Sequence, residues 1–334
     1  MPAGTGLTTV QTAHASFGVV LEDTHKLAEL CGSNDYNLSV IERLLGSKVY
    51  TRGNEIFLDS DDPELRRLFG EMITGLLESM DDGMPATPDL VIAIHASLTP
   101  EGEAGRSCTD TDRGFLESCV QIPGGYSKVF PRSKSQGLLL EGMARYDLSI
   151  AVGPAGTGKT YLAVAFALRE LLTKAKRKLV LTRPVVEAGE SLGFLPGDLA
   201  QKISPYLRPL YDSMESLVPF ETIRRLEETR AIEIAPLAYM RGRSLANCVV
   251  ILDEAQNTTR EQMKMFLTRL GDNTKAIVTG DVTQIDLPRR SESGLVHALQ
   301  ILAGVEDVFT TKLDARDVVR SPLVRKIIEA YESE

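Results

Sequence analysis

The segment Gly153-Pro-Ala-Gly-Thr-Gly-Lys-Thr160 matches the phosphate-binding loop pattern G-x-x-x-x-G-K-[ST] at every defined position. An apolar run at residues 148–152 precedes it and a helix-like stretch at 161–172 follows it. This is the strand–loop–helix setting that such a loop requires. Its backbone N–H groups, with the positive end of the helix dipole, bind phosphate. We therefore predict a nucleoside triphosphate site formed by Gly153, Pro154, Ala155, Gly156, Thr157, Gly158, Lys159 and Thr160.

A second signal is the apolar run at 248–252, which is followed directly by Asp253 and Glu254. Ligands lie at the carboxyl ends of the strands in parallel sheets. We therefore predict that Asp253 and the Thr160 hydroxyl hold Mg²⁺, while Lys159 reaches the β- and γ-phosphates. Glu254 is predicted to polarise the attacking water. An adjacent Asp and Glu favour a hydrolytic ATPase over a simple nucleotide kinase, which needs no water-activating carboxylate.

Two further polar residues are candidates for contacts with the nucleotide. The run Thr279-Gly-Asp-Val-Thr-Gln284 follows an apolar segment, and we predict that Gln284, supported by Asp281, senses the γ-phosphate. Gln136 lies seventeen positions before Gly153. Its amide can donate one hydrogen bond and accept another, so we predict that it recognises the adenine edge and selects ATP.

Composition predicts a cytoplasmic protein with no membrane segment. No apolar run approaches the ~20 residues of a membrane span, and the N-terminus lacks the basic start and apolar core of a signal peptide. The four cysteines have no C-x-x-C spacing, which argues against structural zinc or a disulfide framework. The net charge of −9 divides into −12 for residues 1–120 and +3 for 121–334. A polyanion such as nucleic acid is therefore expected at the second part.

The chain is long enough for two domains. Residues 1–82 are predicted to form a small α+β domain, beginning with a frayed tail at 1–15 and containing a β-hairpin with a Gly53-Asn54 turn. Residues 83–120 are predicted to be a linker with a short helix at 90–97. Residues 121–334 are predicted to form an α/β nucleotide-binding domain that opens with a hairpin at 119–130. Its later apolar runs, which suit a buried parallel sheet, are 178–182, 232–236, 248–252, 275–279 and 308–311.

These segments together resemble the PhoH family of P-loop ATPases, whose core is related to that of superfamily 1 helicases. The resemblance covers residues 131–331. It includes Thr182-Arg-Pro184, Glu190-Ser-Leu-Gly-Phe-Leu-Pro-Gly197, Met240-Arg-Gly-Arg-Ser-Leu245, Asp253-Glu-Ala-Gln-Asn257 and the run from Thr279 to Pro288. Two positions depart from the family pattern. Ser321 stands where His is expected, and Val282 stands where Pro is usual. Neither replaces a reactive group.

The resemblance implies an α/β P-loop NTPase core of the RecA/helicase type and a KH-like N-terminal domain of the YbeZ-type branch. The acidic N-terminal part has no G-x-x-G clamp. The resemblance also implies an ATP- and Mg²⁺-dependent ATPase in RNA metabolism, partnered with a YbeY-type endoribonuclease in ribosomal RNA maturation. The cations expected along a single-strand path, by analogy with the related helicases, are Arg183, Lys202, Arg208, Arg241 and Arg243.

The chain contains one phosphate loop and about 200 residues of core, whereas superfamily 1 motors use two tandem core domains. A homo-oligomer, such as a ring, would supply the missing wall of the site. Arg320 is then a candidate arginine finger that acts across the subunit boundary, although a surface helix residue accounts for it equally well.

Two other functions remain open from the sequence. The first is a nucleotide-gated assembly switch that changes partner affinity without unwinding anything. The second is a nuclease-linked protein of the same family. It would need clustered acidic residues, whereas those of residues 1–82 suit solvated helix and turn positions.

Overall fold

The computed structural model describes residues 8–11, 16–21, 23–99, 118–124, 126, 128–184, 199–289 and 292–318. The chain divides into two compact units. One consists of residues 1–118 with 130–134, and the other of residues 119–129 with 135–334. In the described part of the chain, no helix is long and apolar enough to cross a membrane.

The first unit is an antiparallel sheet with helices. Its strands, in the sheet order β1-β2-β4-β3, are β1 (Thr8–Gln11), β2 (Ser16–Val20), β3 (Val49–Arg52) and β4 (Glu55–Asp59). Its helices are α1 (Thr24–Cys31), α2 (Tyr36–Leu45), α3 (Pro63–Asp81) and α4 (Pro88–Leu98). The predicted hairpin is confirmed, with Arg52 opposite Glu55 across the turn. The sequence did not predict α1, and residues 8–11, predicted to be frayed, form β1.

The helix predicted at residues 90–97 is α4, and it lies in the core of this unit. Leu90, Val91 and Ile94 are fully or almost fully buried, and α4 packs against α2 and α3. A methyl group added to Gly75 of α3 would lie 3.3 Å from Ile94, so the two helices approach closely. The apolar residues of α4 thus complete a core instead of spanning a linker.

The second unit opens with the predicted hairpin, β5 (Val120–Gln121) and β6 (Lys128–Val129). It continues with six strands: β7 (Leu148–Val152), β8 (Lys178–Arg183), β9 (Ile232–Pro236), β10 (Cys248–Leu252), β11 (Lys275–Gly280) and β12 (Val308–Lys312). The helices are α5 (Lys134–Arg145), α6 (Lys159–Leu172), α7 (Leu199–Glu215), α8 (Phe220–Glu228), α9 (Arg260–Leu267) and α10 (Gly294–Ile301).

The six strands form one sheet in the order β12-β7-β11-β10-β8-β9, and every neighbouring pair is parallel. All residues of β7 and β10 are buried, as expected for strands covered on both faces. One core contains residues of α5, α6 and α7, and the other contains residues of α9 and α10. The predicted α/β core with a parallel sheet is confirmed, whereas the KH-like character of the N-terminal domain stays a prediction.

Glu233 on β9 joins two basic residues on the nucleotide-binding unit. Its carboxylate accepts hydrogen bonds from Arg243 at 2.5 and 2.8 Å and from Lys178 at 2.5 Å. The Arg243 hydrogen bonds, reinforced by Lys178, lower the pKa of Glu233 to about 2. Arg243 was expected on the single-strand path, and its guanidinium is paired with Glu233 in this cluster.

We predict that Glu233→Gln lowers the free energy of unfolding by about 1–2 kcal/mol at pH 7 because it removes the charge-assisted bonds of a partly exposed cluster. The folded-state pKa lies below the usual value. The stabilisation is therefore complete above about pH 4.5 and lost as the pH falls through about 2. Urea denaturation of both proteins at several pH values measures this difference. Glu228→Gln, which alters an exposed pair with Arg224, is the control. An equal effect of both substitutions would contradict the prediction.

Candidate nucleotide-binding site

Three neighbouring strands end at one edge of the parallel sheet and carry the predicted site residues. The phosphate-binding loop follows β7, Asp253 and Glu254 follow β10, and Asp281 follows β11. A cleft of about 270 Å³ lies at this edge. It is lined by Ala155, Gly156, Gly158, Lys159, Thr160, Tyr161, Ser213, Asp253, Glu254, Gly280, Asp281 and Gln284. The fold therefore brings Lys159, Thr160, Asp253, Glu254 and Gln284 together.

The phosphate-binding loop has the backbone that its glycines permit. Gly156 and Gly158 have φ values of 84° and 80°, in the region where a side chain is disfavoured. Gly153 lies against the chain after β12, because an added methyl group would stand 2.5 Å from the Leu313 carbonyl oxygen. The Thr157 hydroxyl donates to the Pro154 carbonyl at 2.9 Å. The loop is thus tightly held, with α6 beginning at its end.

Lys159, the first residue of α6, folds its side chain over the loop. Its ammonium group donates to the carbonyl oxygens of Gly153 and Pro154, both at 2.7 Å, and the residue is only 8% exposed. Burial lowers the pKa of Lys159 from its usual value, while the carboxylates of Asp281 and Asp253 act in the opposite direction. A cation in this position is suited to bind an anion held by the loop.

Asp253 connects the loop to the neighbouring strands. Its Oδ1 accepts hydrogen bonds from the hydroxyl of Thr160 at 2.8 Å and from that of Thr279 at 2.6 Å, and the residue is 4% exposed. Thr160 and Asp253, both predicted to hold Mg²⁺, are therefore in direct contact, and their binding of the ion stays a prediction.

The donor atoms at this edge fit a Mg²⁺ ion. Thr160 and Asp253 supply oxygen ligands, and Oδ2 of Asp281 is a buried carboxylate oxygen without a hydrogen-bond partner in the described residues. Within those residues, no group of three or more His, Cys, Asp and Glu side chains could hold a metal ion by itself. Mg²⁺ does not need one, because it usually binds one or two protein carboxylates and completes its shell with phosphate and water.

Glu254 has an unusual backbone and an engaged side chain. Its φ of 51° and ψ of 38° lie in the left-handed region, which is rare for a residue with a side chain and recurs at functional sites. Oε1 accepts a hydrogen bond from Arg183 at 2.6 Å, and Oε2 accepts one from Gln256 at 2.6 Å. Both carboxylate oxygens are therefore bound.

Gln256 joins Glu254 to the loop after β11. The amide nitrogen also donates to the Gln284 carbonyl at 3.1 Å, and the amide oxygen accepts from the Asp281 backbone N–H at 3.0 Å. Gln256 is 1% exposed. Gln256 lies in the motif that begins at Asp253, but the sequence did not predict a role for it. Its position two residues after Glu254 was the signal that could have identified it.

Gln136, on α5, lies directly behind the phosphate-binding loop. Its side-chain nitrogen donates to the Thr157 carbonyl at 3.0 Å, and the residue is 3% exposed. A methyl group added to Gly158 would stand 3.2 Å from the same nitrogen. The structure therefore places Gln136 in contact with the loop, and its recognition of adenine stays a prediction.

The basic residues expected along a single-strand path have different surroundings. Arg183 pairs with Glu254 and lies 3.8 Å from Asp253, and Arg208 pairs with Asp212 on the surface of α7. Arg241 is exposed. The side chain of Lys202, residues 190–197 and Arg320 lie outside the described part of the structure. Arg183 thus contacts two carboxylates that line the cleft, which the sequence did not indicate.

Fold and site together define a P-loop NTPase. A family model described as "PhoH-like protein" matches residues 128–332. The chain is 45% identical to the PhoH-like protein of Bacillus subtilis over 315 residues, which are 94% of this chain and 96% of that protein. It is 44% identical to the PhoH-like protein of Mycobacterium tuberculosis over 302 residues, 90% of this chain and 84% of that one. The chain belongs to the PhoH family.

Among solved structures, the large terminase of a thermophilic bacteriophage is similar to this chain with a TM-score of 0.40 and 13% sequence identity. The alignment covers 59% of this chain and 49% of the terminase. A likeness of this extent has no bearing on the function.

Proposed function

We propose that this protein is a cytoplasmic, Mg²⁺-dependent ATPase. The observation that carries the proposal is the convergence of Lys159, Thr160, Asp253 and Glu254 on one cleft at the carboxyl edge of the sheet. A phosphate-binding loop alone supports nucleotide binding. The addition of Glu254 supports hydrolysis, because a carboxylate close to the phosphate site can orient and deprotonate water.

In this proposal, each polar group of the cleft has one task. The N–H groups of residues 153–160 and the Lys159 ammonium bind the β- and γ-phosphates. Thr160 and Asp253 hold Mg²⁺, which neutralises negative charge on the phosphates when it is bound. Gln284, at the rim of the cleft, responds to the γ-phosphate, and Gln136 recognises adenine while supporting the loop.

Glu254 accepts the proton of the attacking water. Its left-handed backbone holds the side chain at the end of β10, and Gln256 fixes one carboxylate oxygen at 2.6 Å. The loop after β11 is attached to the same amide through Asp281 and Gln284. A contact between Gln284 and the γ-phosphate would therefore be transmitted to Glu254 through Gln256.

We further propose that hydrolysis is coupled to remodelling of RNA or to ribosomal RNA maturation. The first compact unit, residues 1–118 with 130–134, would form the KH-like domain, and the second, residues 119–129 with 135–334, would form the ATPase domain. A homo-oligomer, with Arg320 of one subunit acting on the next, and a YbeY-type endoribonuclease are the proposed partners. The charge of +3 on residues 121–334, against −12 on residues 1–120, favours the ATPase domain as the RNA-binding part.

We predict that Glu254→Gln keeps its affinity for ATP but hydrolyses it about 10²–10⁴-fold more slowly, because the amide cannot accept the proton. Lys159→Ala should instead weaken ATP binding by at least about tenfold because a charge-assisted contact is lost. Nucleotide titration and phosphate release measure the two effects. Glu228→Gln and Lys264→Ala, at exposed positions on α8 and α9, are the matched controls. Hydrolysis by Glu254→Gln at the parent rate would refute the assignment.

The alternative is an ATP-gated switch that binds and releases partners without unwinding RNA. The Gln256 connection between Glu254 and the loop after β11 is the feature that favours nucleotide-dependent movement.

For the RNA-coupled ATPase, we expect single-stranded RNA to raise the ATPase rate at least about threefold, with a stimulation that falls as salt rises. The same rate with and without RNA, together with nucleotide-dependent partner exchange, would favour the switch. Mass measurement in solution under the same conditions tests the oligomer.

A further inference from the structure

Arg183 forms an ion pair with Glu254, the proton acceptor of the proposed function, and the present inference rests on that function. Arg183 is the last residue of β8, the strand beside β10. Its Nη2 donates to Oε1 of Glu254 at 2.6 Å, and its Nε lies 3.8 Å from Oδ2 of Asp253. The side chains of Arg183 and Glu254 are 17% and 37% exposed. This is a close, partly buried ion pair with a carboxylate that lines the cleft.

This ion pair opposes proton transfer to Glu254. A general base must offer a carboxylate oxygen to the water within hydrogen-bond distance. Here, Oε1 is bound to a guanidinium and Oε2 to the Gln256 amide.

Gln256 is the partner of Glu254 that is fixed in place. Gln256 is 1% exposed and is tied by two further hydrogen bonds, to the Asp281 N–H and the Gln284 carbonyl. Its removal would leave buried polar groups without partners, which is costly. Arg183 has a long side chain whose guanidinium can turn towards a different anion, and Asp253 already stands beside it.

We propose that Arg183 is a positioning residue that restrains Glu254, and that its ion pair with Glu254 must open before ATP is hydrolysed. In the closed arrangement, Glu254 is held against β8 by Arg183. In the open arrangement, Gln256 alone orients the carboxylate, and Oε1 faces the water. The rate of hydrolysis is then set in part by how often the Arg183–Glu254 contact is broken.

The test is Arg183→Gln in the full-length protein, with ATP hydrolysis measured at saturating Mg²⁺ and ATP. Removal of the restraint is expected to raise kcat about fivefold, which corresponds to about 1 kcal/mol at 1.36 kcal/mol per tenfold, with KM changed less than twofold. Arg224→Gln breaks an exposed arginine–glutamate pair on α8 and serves as the matched control with unchanged kcat. A kcat of Arg183→Gln at or below that of the parent, in a protein with unchanged melting temperature, would overturn the proposal.

A second comparison shows whether Arg183 acts through Glu254. The double variant Arg183→Gln/Glu254→Gln is expected to hydrolyse ATP no faster than Glu254→Gln alone, because the restrained group is gone. A fivefold gain on the Glu254→Gln background would contradict action through Glu254. If Glu254→Gln alone hydrolyses at the parent rate, the proposed function fails. If Glu254→Gln stalls and Arg183→Gln is not faster, only the restraint by Arg183 fails.

A structural measurement keeps the proposal testable if Arg183→Gln does not fold. In a crystal structure of the unsubstituted protein with Mg²⁺ and a non-hydrolysable ATP analogue, the distance from Arg183 Nη2 to Glu254 Oε1 is expected to exceed 4 Å. A hydrogen bond that persists near 2.6 Å with the analogue bound would overturn the restraint.

Discussion

The nucleotide cleft depends on the buried carboxylate of Asp253. One of its oxygens accepts hydrogen bonds from Thr160, at the start of α6, and from Thr279, on β11. The start of α6, the end of β10 and strand β11 are thereby held together, although they lie far apart in the sequence. A charged group that is 4% exposed requires such partners, because burial of an unpaired charge is costly. These hydrogen bonds connect the end of the phosphate loop to the edge of the sheet beside Glu254.

Much of the nucleotide-binding core could be predicted from the sequence. Short apolar runs identified the strands, of which β7 and β10 are buried along their whole length. The loop pattern located the edge where ligands bind. Lys159, Thr160, Asp253 and Glu254 carry chemistry that follows directly from their motifs. That these residues lie close together could be predicted because parallel strands have their carboxyl ends at one edge of the sheet.

Other features depended on the spatial order of strands, which the sequence does not contain. The order β12-β7-β11-β10-β8-β9 places β8 beside β10, and only this adjacency brings Arg183 to Glu254. The sequence predicted Arg183 along a single-strand path by family analogy and did not predict its contact with Glu254. In the first unit, β1 was missed because four polar-rich residues carry little periodic signal, and α4 was placed in a linker because its burial depends on α2 and α3.

The cleft is lined by Lys159 and the three carboxylates of Asp253, Glu254 and Asp281, and Arg183 contacts Glu254 beside it. We therefore predict that phosphate chemistry at this site requires a divalent cation, and phosphate release from ATP by the unsubstituted protein tests this most directly. Steady turnover in Mg²⁺ that stops on addition of EDTA and returns with excess Mg²⁺ is the predicted result. No phosphate release in Mg²⁺, under conditions where ATP binds, or an equal rate in EDTA, would contradict the account.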